Sequence, residues 1–151
     1  MELSHYSEHP IEKVLPRKQI ASNTNFKPRG LWVSVDGEDD WKHWCECENF
    51  RPECLKYHYR VVLAPEANIL HLATVESILA FTDQYASKAF NLSAYNHFID
   101  WPLLETKYQG IVIAPYQWGL RMLEKTFWYY PWDCASGCIW DAAAIQSLEL
   151  I

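Results

Sequence analysis

Two spacings of hydrophobic positions run through this chain, one of two residues and one near the helical 3.6. Alternating or continuous apolar stretches predict strands at 2–6, 31–34, 55–63, 69–72, 111–114 and 138–140. Helical spacing predicts helices at 41–50, 74–85 and 99–108. Asp39 or Asp40 caps the first, and Pro52 lies beyond its end. Thr74 caps the second, with Ser77 where a capping box would prefer Glu. Asp100 caps the third, Pro102 sits in its first turn, and Gly110 ends it. At 11–20, Ile11, Val14 and Leu15 fit a helix that Pro16 interrupts, and 22–25 reads as polar loop. Segment 91–98 is ambiguous, 115–125 is helix or loop, and 141–150 is a short helix or an extended tail. Strands are spread along the chain and outnumber helices, which implies an α+β fold with a mainly antiparallel sheet. No repeat, low-complexity tract or linker interrupts residues 1–151, so a single domain is expected.

The stretch from Lys27 to Ser34 organises the rest. Pro28 and Gly30 make a turn, and Leu31, Trp32, Val33 and Ser34 follow as an aromatic strand. An acidic loop, Asp36 to Asp40, separates this strand from Trp41 and Trp44, which share a helix face. Together these form a wall suited to a flat ligand, and ordinary core packing is the alternative use of the indoles. Eight Trp and nine Tyr among 151 residues exceed what packing alone usually asks for. A net charge of −6 disfavours non-specific nucleic-acid binding. No apolar run reaches the length of a membrane helix, and residues 1–7 read as no secretory signal. Five Cys, an odd number, then fit reduced thiols in a cytoplasmic protein.

Three segments, in order, change this picture. His5-Tyr6-Ser7 resembles the His-Gly-Ser/Thr signature of ADP-ribosyltransferases of the diphtheria-toxin and poly(ADP-ribose) polymerase class. Gly30 to Ser34 resembles that class's Gly-Ile-Tyr-Phe-Ala/Ser strand, with Trp44 near its second stacking Tyr. Ser136 to Asp141 resembles its final Glu-containing strand. The resemblance implies two small, mainly antiparallel sheets forming a split β core with flanking helices. It also implies NAD as substrate, and mono-ADP-ribosyl transfer to a macromolecular acceptor through an oxocarbenium-like state. On this reading His5, Tyr6, Ser7, Gly30, Trp32, Ser34 and Trp44 contact NAD. His5 meets the adenine ribose, Ser7 the nicotinamide amide, and Trp32 and Trp44 the two nicotinamide faces.

The chain departs from that class at Ser136, which stands where the catalytic Glu belongs and carries no charge. Asp133, three residues earlier, is the candidate substitute, so His5, Asp133 and Ser136 form the expected catalytic group. The alternatives are a catalytically silent binding module with an aromatic cleft, and an RNA 2′-phosphotransferase-like enzyme. The latter would draw on Arg29, Arg60 and Arg121, none of which sits in a diagnostic motif. His43, Cys45, Cys47 and Cys54 match no standard zinc spacing, so no metal is expected. Neither a Walker loop nor a dinucleotide glycine fingerprint is present, so NAD would bind outside a Rossmann frame.

Overall fold

The computed structural model of the chain describes residues 1–21, 26–87 and 98–151. The sequence expectations for 22–25 and for most of 91–98 lie outside the described residues. Seven strands, β1 (Leu3–Ser7), β2 (Leu31–Val35), β3 (Tyr57–Leu63), β4 (Ile69–Leu72), β5 (Gly110–Ile113), β6 (Ser136–Ile139) and β7 (Ile145–Leu150), form one sheet. Their order is β4-β5-β6-β2-β1-β3-β7. Only β4 and β5 run parallel, because the connection between them crosses over through α2 (Val75–Tyr85) and α3 (Trp101–Glu105). With α1 (Trp41–Glu48) and several 3₁₀ turns, the fold is α+β.

The expectation of two separate sheets is corrected, since hydrogen bonding is continuous across all seven strands. The sheet is nevertheless thin at its centre. The β1–β2 ladder holds two pairs, Leu3 with Val35 and Ser4 with Ser34, whereas β1–β3 and β2–β6 hold four each. Beyond Ser4 the two central strands no longer pair, and a gap opens between them.

Strand alternation divides the core. In β5, Ile111 and Ile113 enter one buried cluster and Val112 the other. The larger cluster joins that face of the sheet to α2, α3 and the aromatic run at 127–132. Trp128, Tyr129 and Trp132 are fully buried there, so much of the indole excess is core. The Trp128 indole N–H donates to Thr82 Oγ1 at 2.9 Å, and that hydroxyl donates to the Ile78 carbonyl.

Local rules explain most helix ends. Asp40 caps α1 by accepting from the His43 amide at 2.8 Å, and Asn49 stops it in the left-handed region at φ 50°. Thr74 and Ser77 form a reciprocal capping box, Ser77 doing the work expected of a Glu. Two expectations fail. The third helix ends at Glu105 rather than 108, because the Lys107 and Tyr108 amides both turn onto Leu104 and Gln109 bonds to Asn68. The C-terminal segment is neither helix nor tail. Asp141 caps one 3₁₀ turn, Ala142–Ala144, after which β7 covers the open edge of β3.

Candidate functional site

Where β1 and β2 part, a cavity of about 220 Å³ opens. It is lined by Ser4, His5 and Tyr6 of β1, Trp32, Val33 and Ser34 of β2, and Ser136 of β6. Lys27, Trp41, Cys54, Asp133 and Cys134 complete the wall. Of the residues singled out from sequence, His5, Tyr6, Trp32, Ser34, Asp133 and Ser136 therefore meet in one place.

His5 bridges the gap that the ladder leaves. Its Nδ1 lies 2.6 Å from the Trp32 carbonyl, which can only accept, so Nδ1 carries the proton and Nε2 remains an acceptor. Burial holds this imidazole below its usual pKa, with the Trp32 carbonyl pulling the other way. Tyr6 stacks on His58 at 4.4 Å, and burial with the Asp36 and Asp40 charges raises its pKa. Behind them Ser4 Oγ accepts from His58 Nε2 at 2.8 Å and donates to Asp36 at 2.9 Å. The Ser34 hydroxyl accepts the Trp41 amide at 2.9 Å, fastening the start of α1 beside the cavity.

Three residues named from sequence do not line the cavity. Ser7 donates instead to the His9 carbonyl, within the turn that follows β1. Gly30 lies against β6, where a Cβ would fall 2.8 Å from Cys138 Sγ. Trp44 stands behind Trp41, their rings stacked at 5.0 Å and 16°, and it is Trp41 that reaches the cavity. The shared helix face was readable from the spacing of the two indoles. Which one turns inward depends on the phase of α1, and that phase is set by the Ser34 and Asp40 contacts.

The acidic wall is Asp133. Its Oδ1 accepts from Arg121 Nη2 at 2.8 Å, and burial raises its pKa against the opposing pull of Lys27 and Arg121. Ser136, paired with Ser34 across the β2–β6 ladder, spends its hydroxyl proton on the Cys134 carbonyl at 3.0 Å. Arg29, Arg60 and Arg121 do not gather. Arg29 bonds the Lys18 carbonyl, Arg60 pairs with Glu149 on the surface, and Arg121 holds Asp133. The cysteines and His43 form two distinct pairs, Cys45 with Cys54 at 4.0 Å and Cys47 with His43 at 3.5 Å. Among the described residues no group of three His, Cys, Asp or Glu side chains is placed to hold a metal ion. Likewise, among the described residues no helix is long and apolar enough to cross a membrane. No family model, curated protein or solved structure matches the chain.

Proposed function

We propose that this chain is an ADP-ribosyltransferase-like protein that binds NAD in the central cavity and transfers one ADP-ribose to a macromolecular acceptor. One observation carries the reading. His5, Trp32 and Ser136 come from segments far apart in sequence, yet they line one cavity from three neighbouring strands. In the reaction the bond from ribose C1′ to the nicotinamide nitrogen breaks, its electron pair leaving with nicotinamide. The acceptor's nucleophile then bonds C1′ and loses its proton. The developing ribosyl cation wants a nearby anion, and Asp133 is the one carboxylate among the described lining residues. Trp32 and Trp41 offer flat apolar surface to a ring, and the Trp32 carbonyl fixes the His5 imidazole at the gap between β1 and β2.

The test is NAD titration by calorimetry together with nicotinamide release, on the wild type and three variants. Asp133→Asn is expected to lower release on the order of a hundredfold, the usual scale for one electrostatic group. Ser136→Glu should raise release, and Trp41→Ala should weaken NAD binding. Absence of both binding and release in the folded wild type overturns the reading. A specific observation favours a second reading, the silent binding module. The Glu position holds Ser136, and the Asp133 carboxylate is already engaged by Arg121. NAD binding without release, in the wild type and in Ser136→Glu alike, would select that module.

A further inference from the structure

Lys27 enters the cavity from the turn before β2, and that turn is firmly held. The buried Gln19 side chain donates to the Arg29 carbonyl at 2.6 Å and accepts the Arg29 amide at 3.0 Å. Gly30 leaves no room for a side chain against β6, and Pro28 is buried with its carbonyl 3.8 Å from Cys138 Sγ. On this fixed base, the Lys27 ammonium sits 4.7 Å above the centre of the Trp32 ring. Among the described residues, none accepts a hydrogen bond or forms an ion pair with it. The carboxylate across the cavity, Asp133, is instead claimed by Arg121 at 2.8 Å. A half-buried ammonium whose three donors find no acceptor among the described residues thus stands over the very indole face that a ligand ring would need.

We propose that Lys27 receives a phosphate of the ligand, and that in moving to it the ammonium uncovers the Trp32 face for the ligand's ring. The cavity is therefore selective for phosphate-bearing nucleotides over nucleosides. This deepens the NAD reading and rests on it for the identity of the ring. The physical sense is direct. A cation over an indole gains little when partly solvated, whereas ammonium and phosphate form charge-assisted bonds about twice as strong as neutral ones. Burial of Lys27, which already lowers its pKa, increases its demand for a counter-charge. Anion capture and ring stacking become one event, because the same side chain governs both.

The test compares nicotinamide mononucleotide with nicotinamide riboside, which differ by one phosphate, using tryptophan fluorescence and calorimetry. Wild-type protein should prefer the mononucleotide by about tenfold or more. Lys27→Met keeps an apolar stem over Trp32 and should reduce that preference to about twofold or less, while Lys27→Arg should restore it. Circular dichroism checks folding, and the Arg variant guards against a loss caused by misfolding. Equal binding of the two ligands by wild type, or an undiminished preference in folded Lys27→Met, overturns the proposal. Inorganic pyrophosphate separates the two levels. If it binds in a Lys27-dependent way while neither nicotinamide compound binds, the phosphate site stands and the NAD reading falls. If no phosphate compound binds, the Lys27 proposal falls as well.

Discussion

Replacing Ser34 by Ala isolates the contact that ties the cavity wall to its aromatic lid. The Ser34 hydroxyl accepts the Trp41 amide at 2.9 Å, while Asp40 accepts the His43 amide at the same helix end. Ser34→Ala removes one oxygen from a residue only 4% exposed and leaves the Trp41 N–H without its partner. An orphaned buried donor costs about 1–3 kcal/mol, and losing a helix-end acceptor about 0.5–2. The adjoining cavity of about 220 Å³ can admit a water to that amide, so the lower part of both ranges applies. The expected loss is about 1 kcal/mol, or roughly fivefold in the folding equilibrium. Urea unfolding followed by tryptophan fluorescence measures it, with Asp40→Ala as a companion expected to cost about 1 kcal/mol. A loss below about 0.3 kcal/mol would mean that Ser34 does not hold α1. A loss above about 3 kcal/mol would mean that the hydroxyl supports more than one amide.

Thr82→Val keeps the side-chain shape but strips the fully buried Trp128 N–H of its acceptor, and should cost about 1–3 kcal/mol by urea unfolding. Gly137→Ala would place a Cβ 2.5 Å from the Ile111 carbonyl and 2.7 Å from Val112 Cγ2. It should therefore destabilise clearly in a thermal melt, whereas Gly119→Ala, with nothing within 4 Å, should be near neutral. The pH dependence of stability should carry a His5 component. Burial depresses its folded pKa below about 6.5, so the unfolded chain binds more protons, and stability is present above that value and lost below it. Between about pH 7 and pH 5, wild type should lose more unfolding free energy than His5→Asn, and an equal loss in both would contradict the buried assignment.

The strands at 57–63, 69–72 and 110–113 were legible because period-two or continuous apolar runs need only local information. β7 was not, since the Asp141-to-Ala144 run carries helical propensity and the open edge of β3 that captures the next residues is non-local. Partner order was likewise invisible. Nothing within segments 31–35 or 136–139 says that they will pair, yet that pairing brings Ser34 opposite Ser136. At the site, the residue types could be read while their orientation could not. Trp41 and Trp44 are equivalent by spacing, and a cap contact from another strand chooses between them. Lys27 opened the stretch that organised the sequence reading, but a lysine before a strand is usually solvent-facing, and only the fold brings it over Trp32.

The row of hydroxyls beneath the cavity marks it as a built feature rather than a packing defect. Ser4, Ser34 and Ser136 sit in register across β1, β2 and β6, so all three side chains share one sheet face. On the opposite face the same strands present Leu3, Val33 and Ile139 to a closed apolar cluster. A defect in a core would be walled by apolar side chains too short to meet. Here the three strands set three serines side by side on this face, and each of those hydroxyls has its partner. Ser4 bonds Asp36, Ser34 takes the Trp41 amide, and Ser136 bonds the Cys134 carbonyl. These hydroxyls are satisfied from within the protein itself, which is how a built polar floor is made. Lys27 and Asp133 then bring a cation and an anion to the edge of that hollow, and His5 meets it at the gap, fixed to the Trp32 carbonyl. That combination suits a ligand with a flat ring, a sugar and a phosphate better than it suits a purely apolar one.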